Sequence, residues 1–478
     1  MIDADADSLK THLPATRHIA CLSGNAREAV LKLRLDTLQN TIISTGHDRQ
    51  NIALATLMVD QMGQGESQTI SVRVDNRDLS VLFRQEVVTP LNQVDIIPFS
   101  LCQHISKQLF TRHSILGLQP DIVATDKDFH IVVVGRSALC SEIIYQLAVL
   151  AHLPNQNCLT IHCVDKDADA FIRQVKKQFT GIQEIPHLEL QAHNLDSDTL
   201  AFFTDALWQQ DNLTQIIIAT EEDDRNLDIA INLQDTTFIQ QTAAGTLRTK
   251  VLIALLHDPG LGLKIDQDKD VFANFYSFGN LAEVSTRENL IDEKLDEIAK
   301  LINYDYAMTK TAGKPVTHDE VQKDWMKASL NDRESSKSQA AHIDIKLLAL
   351  NLQKLASDKP FATLLENNKA IFAKKLAERE ISNEMLADYK AEYFPNDFSS
   401  LLNKLGRAEH NRWNAFHYLR GWQYDEHKDK KAKRHNCLLP LEQFHSDEAR
   451  ETYQYDLLSI LNIPLYLAYT GYEIVEAA

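Results

Sequence analysis

Residues that could bind a nucleotide lie in two clusters, one in the middle of the chain and one near its carboxyl end. In the middle, Gly135 directly follows the apolar run 130–134, and Asp165 ends the apolar run 159–164. A glycine turn after a buried strand lets a phosphate approach the backbone at a helix start, and an acid after the next strand accepts a hydrogen bond from a ribose. This spacing favours a nucleotide site.

The glycine turn departs from the G-x-G-x-x-G fingerprint because only the first glycine is present. Ser137 and Cys140 occupy the other two positions. Both side chains are small enough to admit a pyrophosphate, yet each narrows the space that a glycine would leave. Gly135, Arg136, Ser137 and Asp165 are therefore candidate residues for binding NAD(H) or another adenine nucleotide. The alternative is a sheet that keeps the fold and has lost the ligand.

The second cluster lies in residues 405–478 and combines flat rings with cations. Aromatic rings can sandwich a base, with stacking contributing about 1–3 kcal/mol per base, and arginine binds phosphate through two parallel hydrogen bonds. The alternative is structural, because a domain of this size needs its tryptophans for a core and the basic run 428–434 could be a solvated loop. The candidates are His410, Arg412, Trp413, Arg420, Trp422, Tyr424, Lys433, Arg434 and His435.

The first cluster requires a parallel sheet to position it. Short apolar runs alternate with stretches of helical spacing, which predicts an α/β doubly wound, Rossmann-like sheet. Strands are expected at 130–134, 159–164, 187–191, 215–219 and 250–255, with helices at 141–150, 196–209 and 224–233.

The segment from Thr45 to Ala55 returns 175 positions later, from Thr220 to Ala230. In the same alignment Asp3 matches Asp165. The chain is therefore expected to hold two Rossmann-like sheets in tandem. Because Met1 falls where the second copy has already completed its first strand, turn and helix, we expect the first sheet to be incomplete and the reading frame to be truncated at its amino end.

The remainder of the chain has a different pattern. Helices with polar faces predict an all-α connector, in which we expect Trp325 in a core and His342 at the surface. A small, mainly helical domain follows. The expected domains are residues 1–115, 129–285, 286–404 and 405–478.

Composition limits the functions available to the chain. A net charge of −18 argues against nucleic-acid binding, which depends on cations that neutralise phosphates. The six cysteines show no paired spacing, and the histidines of the carboxyl-terminal cluster have no ligand spacing for zinc. No apolar stretch is long enough to cross a bilayer, so a reduced, cytoplasmic protein is expected.

Two segments of the first 285 residues resemble the regulator-of-potassium-conductance domains, the Trk-type NAD-binding units that often occur in tandem. One is Thr-x-x-Asp-x-x-Asn, which begins at Thr45 and again at Thr220; the other is Asp95-Ile-Ile-Pro-Phe-Ser-Leu101. The resemblance adds Thr220 and Asp223 to the candidate cofactor site. It implies a ligand-gated homo-oligomer attached to, or docked on, a membrane channel or transporter, at the inner face of the membrane.

Residues 405–478 resemble the Ryr domain, a repeat first named in ryanodine receptors and also found in bacterial proteins. Asp425 stands where that family usually has glycine, and Asn436 where it usually has proline, which alters one turn. The resemblance implies recognition of a small-ligand or nucleotide-derived signal. It rests on Glu409-His-Asn-Arg-Trp413, Gly421-Trp-Gln-Tyr424, Lys433-Arg-His-Asn-Cys-Leu-Leu-Pro440, Asp456 and Ile463-Pro464, in this order.

These observations favour a non-catalytic sensor that binds a nucleotide and gates a partner such as a potassium channel or transporter. An NAD-dependent oxidoreductase is the first alternative, although no Tyr-x-x-x-Lys pair or other acid–base set follows the sheet. A ligand-free oligomerisation scaffold in a signalling or defence operon is the second.

Overall fold

The computed structural model describes most of the chain as two compact units, which are treated separately. One unit contains residues 1–104 and 285–294, and the other contains residues 105–284 and 295–478. The residues described are 2–3, 22–23, 40–45, 47–61, 68–77, 79–80, 94–235, 249–290, 293–308, 317–376 and 389–477.

The first unit is built from short parallel strands. Strand β1 pairs with β2, and a separate sheet has the order β3-β4-β5. Helix α1 packs Ala55 and Met58 against Ile70 and Val72 of the sheet. The bounds are β1 Ile2–Asp3, β2 Leu22–Ser23, β3 Asn40–Ile43, α1 Asp48–Gln61, β4 Gln68–Arg73, β5 Val94–Phe99 and, continuing into the second unit, α2 Leu101–Arg112.

The second unit contains a six-stranded, entirely parallel sheet of order β11-β10-β9-β6-β7-β8. This is the Rossmann order, in which the direction of strand addition reverses between the first and fourth strands. The predicted doubly wound sheet is confirmed. The strands are β6 Phe129–Val134, β7 Leu159–Asp165, β8 Leu188–Asn194, β9 Leu213–Ile218, β10 Lys250–Ala254 and β11 Phe275–Phe278.

Strand pairing in the first unit follows that of the second. The β1–β2 pair corresponds to β7–β8, and the sheet β3-β4-β5 corresponds to β9-β10-β11. In the described part of the first unit, no strand corresponds to β6. The two copies of the sequence repeat therefore adopt the same local arrangement of strands.

Helices cover both faces of the six-stranded sheet. They are α3 Ala138–Leu150, α4 Ala168–Gln178, α5 Asp223–Asp235 and α6 Pro259–Gln267. The long helix expected at 196–209 is instead two short turns, Leu200–Phe203 and Ala206–Gln209. Asp205 separates these turns and caps the second through the N–H of Leu207, as short polar residues do at helix starts.

Residues 295–308, 317–376 and 389–477 form the helical half of this unit. One apolar core joins the predicted connector to the carboxyl-terminal segment in it. One strand, β12, lies inside the region expected to be all α. It has no β-branched residue and gains its ladder from β15, so the sequence alone gave no signal for it. The elements are α7 Glu297–Met308, α8 His318–Lys327, α9 Leu330–Ala341, α10 Ile343–Ala349, β12 Leu352–Ala356, α11 Phe361–Leu376, α12 Leu401–Tyr418, β13 Gln423–Tyr424, β14 Arg434–His435, α13 Asp447–Leu461, α14 Ile463–Tyr469 and β15 Tyr472–Glu476.

This helical half contains an internal structural repeat. Helices α9 and α10 followed by β12 recur 120 positions later as α13, α14 and β15, with helical breaks at His342 and Asn462. Asn351 and Gly471 occupy equivalent positions, and both have positive φ. The antiparallel pairing of β12 with β15 places Lys354 opposite Ile474, its own equivalent in the other copy. The two copies are therefore related by an approximate two-fold axis.

Each copy has one further helix packed on it, α7 on α9 and α12 on α13, and polar contacts between the copies extended in this way are reciprocal. Lys346 of α10 donates to Glu409 of α12, whereas Tyr466 of α14 donates to Asp305 of α7. Such exchange is what two-fold symmetry produces at an interface. Because Lys346 and Tyr466 are 120 positions apart, a lysine–carboxylate pair in one half corresponds to a tyrosine–carboxylate pair in the other.

His342 is buried, which corrects the expectation that it lies at the surface. His342 is the residue between α9 and α10, and its Nε2–H donates to the carbonyl of His152 at 3.0 Å. Burial lowers the pKa of His342 well below its usual value. Trp325 is buried in accordance with the sequence-based expectation.

Candidate functional site

A cavity of about 490 Å³ opens at the carboxyl edge of the six-stranded sheet. Gly135 follows β6, Asp165 ends β7 and Thr220 follows β9, and all three residues line it. The cavity thus lies where the strand order reverses, between β6 and β9, which is where open α/β sheets bind ligands. Among the candidate residues, Gly135, Arg136, Ser137, Asp165 and Thr220 converge on this cavity.

Gly135 has a backbone conformation that only glycine adopts readily. Its φ is +109°, and a Cβ at this position would lie 3.0 Å from the carbonyl oxygen of Ala219. The Gly135 N–H donates to Val164 at 2.9 Å. The turn is therefore held tightly between the ends of three strands, as close approach of a phosphate to the backbone requires.

The two residues that replace fingerprint glycines face the sheet. The Ser137 hydroxyl donates to the Ala219 carbonyl at 2.7 Å and accepts from the Cys140 N–H, which caps α3. The Cys140 thiol lies 3.1 Å from the same carbonyl, and burial raises its pKa to about 11. Because Ser137 is fixed as the cap, the amino end of α3 points into the cavity, where the helix dipole favours an anion.

Arg136 and Asp165 lie beside one another at the cavity wall. The Arg136 Nε is 3.6 Å from Asp165 Oδ1, and its Nη1 is 3.4 Å from Asp167 Oδ2. The arginine side chain is 52% exposed, so these contacts are screened by water. Asp165 also accepts the N–H of Asp167 at 3.0 Å. A ribose hydroxyl could replace the arginine at the carboxylate without a large energetic cost.

Several lining residues were not identified from the sequence. Arg225, in the first turn of α5, lies 3.3 Å from Asp198 and 3.9 Å from Asp196. Residues that directly follow parallel strands meet at one edge of the sheet, so the positions after β7, β8 and β9 could have been predicted to line the cavity. The additional charged lining residues are Lys166, Asp196, Glu221, Glu222 and Arg225. The cavity lining therefore contains both cations and acids.

Thr220 and Asp223 belong to a network that joins adjacent strands. The Thr220 N–H donates to Asn226 Oδ1 at 2.8 Å, and Asn226 donates to the carbonyl of Ala254 at the end of β10. Asp223 accepts the N–H groups of Leu256 and His257 just beyond that strand. This geometry gives Asp223 a structural role in holding the carboxyl end of β10.

The first unit repeats this network. The Thr45 N–H donates to Asn51 Oδ1 at 2.7 Å, and Asn51 donates to Arg73 at the end of β4. Asp48 accepts the N–H groups of Asp75 and Asn76. The Thr-x-x-Asp-x-x-Asn segment therefore encodes the same strand-to-strand connection twice, independently of any ligand.

In the carboxyl-terminal segment, Arg412 lies in the interior. Its guanidinium makes two hydrogen bonds to Glu409, at 2.7 and 3.0 Å, and one to Ser338. Lys346 donates to the same carboxylate at 2.6 Å. Burial alone would raise the pKa of Glu409, but Arg412 and Lys346 lower it to about 2. Arg412 is almost completely buried, so its position favours the structural alternative to phosphate binding.

His410 also has internal partners. Its Nδ1 lies 3.1 Å from Asp456 Oδ2, and its Nε2–H donates to the carbonyl of Leu439 at 2.8 Å. Burial raises the pKa of Asp456, although His410 beside it acts in the opposite direction. The pair therefore anchors the loop that follows β14.

The two tryptophans do not face each other across an open slot. The imidazole of His417 contacts both, at centroid distances of 4.0 Å from Trp413 and 5.2 Å from Trp422, and His435 lies 5.0 Å from Trp413. The His417 Nδ1–H donates to the Trp413 carbonyl. Burial lowers the pKa of His417 to about 3. The space in which a base could be sandwiched is thus filled by neutral imidazole.

The other carboxyl-terminal candidates lie nearer the surface. Arg420 stacks on Phe416 and pairs with Glu334 at 3.3 Å, whereas Tyr424 is 42% exposed. Arg434 is half-buried in β14. Next to it, the cations Lys428, Lys430, Lys431 and Lys433 are exposed, and the structure records no ion pair for them among the residues it describes. An anionic ligand would meet this loop before it met Arg412 or His410.

Two further features are absent from the described ranges. They contain no group of three or more histidine, cysteine, aspartate or glutamate side chains that could hold a metal ion. They also contain no helix with the length and apolar character needed to cross a membrane.

Comparison with known proteins bears on the carboxyl-terminal segment. The family model for the RyR domain matches residues 387–475. No curated protein matches the chain. The match begins 18 residues before position 405, where the sequence placed the start of this domain, and it includes α12 with its Glu409–Arg412 pair. The chain thus carries a RyR domain at residues 387–475, packed in one unit with a Rossmann-like sheet.

Proposed function

We propose that the protein is a non-catalytic sensor that binds a nucleotide at the cavity between β6 and β9. The observation that carries the proposal is the convergence of the Gly135 turn, the amino end of α3 and Asp165 on one cavity of about 490 Å³. Pockets for cofactor-sized ligands usually measure about 300–1,000 Å³. The size and chemistry of the cavity suit NAD(H) or another adenine nucleotide.

The phosphates and a ribose of such a ligand have partners of suitable chemistry. The helix start and the Gly135 turn would receive the phosphates, Asp165 would accept from a ribose hydroxyl, and Arg225 supplies a further cation in the cavity lining. The acids Glu221 and Glu222 at the rim disfavour high negative charge. This pattern supports a dinucleotide more than a free triphosphate.

Helix α3 offers a direct route from the cavity to the helical half. It begins at the Ser137 cap, and the carbonyl of His152, two residues beyond its last turn, accepts from His342. Lys404 donates to Asn155 at 3.0 Å in the same region. A ligand that shifts the start of α3 would therefore bias the packing of the helical half, provided that it binds one arrangement more tightly.

The resemblance of the sheets to regulator-of-potassium-conductance domains supports a homo-oligomeric, cytoplasmic regulator that gates a channel or transporter at the membrane. Within the RyR domain, the exposed Tyr424 and the cationic loop beside Arg434 are where a second, nucleotide-derived signal would bind.

Isothermal titration of the full chain with NAD⁺, NADH, ATP, ADP-ribose and cyclic nucleotides tests the proposal. We expect at least one ligand to bind, and Arg225→Ala to weaken it. Arg173→Ala is the matched control, because Arg173 is exposed on α4 and does not line the cavity.

Absence of binding by every ligand would contradict the proposal and favour the scaffold alternative. Turnover of NADH would favour the oxidoreductase. Equal loss of affinity in Arg225→Ala and Arg173→Ala would place the ligand outside the cavity.

A further inference from the structure

Three histidines form a hydrogen-bonded row across neighbouring strands of the six-stranded sheet. His130 Nδ1 lies 3.0 Å from His162 Nε2, and His162 Nδ1 lies 2.9 Å from His193 Nε2. The ring centroids are 5.2 and 5.0 Å apart. We call this row, from β6 through β7 to β8, the histidine ladder.

The ladder lies on the face of the sheet that carries Val132 and Val164, which pack with Phe202 and Trp208. Its central ring, His162, is only 3% exposed, whereas the two end rings are half-buried. The ladder is therefore a polar row in an apolar layer, with solvent access at its two ends alone.

Acidic groups face the ends of the ladder. Asp128 before β6, Glu189 on β8 and Asp211 before β9 act on His130, and Asp205, between the two short turns, acts on His193. Only the two other imidazoles act on His162, and burial is the main reason that its pKa falls to about 3. Burial also lowers the pKa of both end rings, against the pull of these carboxylates.

The geometry limits how many protons the ladder can hold. Each of the two contacts needs one proton between two nitrogens, because a hydrogen bond requires one donor and one acceptor. The remaining nitrogens are His130 Nε2 and His193 Nδ1. Three neutral rings place a proton on one of these ends, and one extra proton fills the other end. A second extra proton must enter a contact, where two N–H groups would then face each other.

We infer that the histidine ladder is a pH-responsive element, which holds β6, β7 and β8 side by side while it carries at most one extra proton and loosens this edge of the sheet on acidification. In the unfolded chain all three rings protonate near pH 6.5. Because the folded ladder holds at most one extra proton and the unfolded chain holds three, folding excludes at least two protons at low pH. Linkage then lowers the equilibrium constant for folding by about a hundredfold or more per pH unit once the pH is well below 6.5.

Loosening of this edge of the sheet would affect the cavity, because Gly135 directly follows β6 and Asp165 ends β7. Separation of these strands would displace the turn from the acid. The inference does not depend on which ligand, if any, binds there.

Hydrogen–deuterium exchange of the full chain tests this inference. Peptides covering β7 and β8 are followed between pH 7.5 and 5.5, after correction for the intrinsic pH dependence of exchange. We expect protection to fall progressively as the pH decreases, with a slope of about a hundredfold per pH unit near pH 5.5 in the unmodified protein. In His162→Gln the two end rings titrate separately, so the fall should be much smaller. His318→Gln, at an exposed position of α8, is the control.

Parallel pH profiles for the unmodified protein and His162→Gln would overturn the inference. If His162→Gln does not fold, His193→Gln removes one contact at a half-buried end ring and should also flatten the profile. ¹⁵N spectra of labelled histidine give an independent check: uptake of two or more protons by the three rings while β7 and β8 stay protected would contradict the proton count.

Discussion

The Rossmann-like crevice and the RyR interior contain similar residue types but use them differently. In the crevice, Asp165 and Arg136 contact each other loosely at a cavity wall, at 3.6 Å. In the RyR interior, Glu409 and Arg412 form two short hydrogen bonds and are almost completely buried. Both pairs join an acid to an arginine within a segment expected to bind a nucleotide.

The difference shows that a charged side chain is available to a ligand only where the protein leaves it incompletely paired. A buried carboxylate must be paired by its own chain, because an unpaired buried charge costs several kcal/mol. At the crevice, water screens the pair, and a ligand can replace one partner at little cost. Residue type alone does not distinguish these cases.

The largest expected effect comes from breaking the buried pair. Glu409→Gln would leave Lys346 and Arg412 as buried cations without a carboxylate, and we expect it to lower the free energy of unfolding by about 3–5 kcal/mol. Urea unfolding followed by tryptophan fluorescence measures this loss. Glu442→Gln is the control, because its ion pair with Arg407 is exposed. A loss in Glu409→Gln no larger than in the control would refute the contrast.

The next effect is at the glycine turn. Gly135→Ala adds a Cβ 3.0 Å from the Ala219 carbonyl at a φ of +109°, so we expect a loss of about 1–3 kcal/mol in stability and of the stabilisation by nucleotide. Thermal melts with and without ligand measure both. In Gly260→Ala the new Cβ has ordinary contacts, and this control should melt like the unmodified protein. An unchanged response to ligand in Gly135→Ala would remove the turn from the site.

A smaller effect is expected at the acid of the crevice. Asp165→Asn keeps the shape of the side chain but weakens acceptance from a ribose hydroxyl, which should reduce nucleotide affinity about tenfold, or about 1.4 kcal/mol. Stability should change little, because the Arg136 contact is largely exposed. Isothermal titration measures the affinity, with the exposed Asp228→Asn as control. Unchanged affinity would mean that Asp165 does not contact the ligand.

The smallest change in stability is expected at the RyR surface. Tyr424→Ala should alter the free energy of unfolding by less than about 0.5 kcal/mol, because the ring is 42% exposed. Trp422→Ala, two residues earlier and 9% exposed, should cost about 3–5 kcal/mol. Urea unfolding compares the two. A large loss in Tyr424→Ala would indicate that this ring is structural and is not held open for a ligand.

Much of the sheet could be predicted because its signals are local. The short runs at β6, β7, β9 and β10 are mainly apolar and rich in β-branched residues, as is typical of buried parallel strands. Repetition of Thr-x-x-Asp-x-x-Asn also indicated two similar units. The role of this segment in joining adjacent strands could not be predicted, because the carbonyl and N–H groups that Asn226 and Asp223 contact lie about thirty positions away.

The helical half was predicted less completely. The similarity of α9-α10-β12 to α13-α14-β15 is carried by spacing and apolar positions such as Ile343 and Ile463, and few identities mark it. Lys346 and its equivalent Tyr466 differ in chemistry but both reach a carboxylate of the opposite copy. A comparison of apolar spacing at an offset of 120 positions could have found the repeat.

By itself, the sequence determined the alternation of strands and helices, the glycine turn with its following acid, and the resemblance of the carboxyl-terminal segment to a RyR domain. These depend on neighbouring residues and on the periodicity of apolar side chains. Tertiary structure alone decided that Asp165 lines a cavity while Arg412 is enclosed, and that three histidines from separate strands share protons. The exposure of a side chain and the identity of its hydrogen-bond partners depend on groups that are distant in sequence. Only the packed chain brings those groups together.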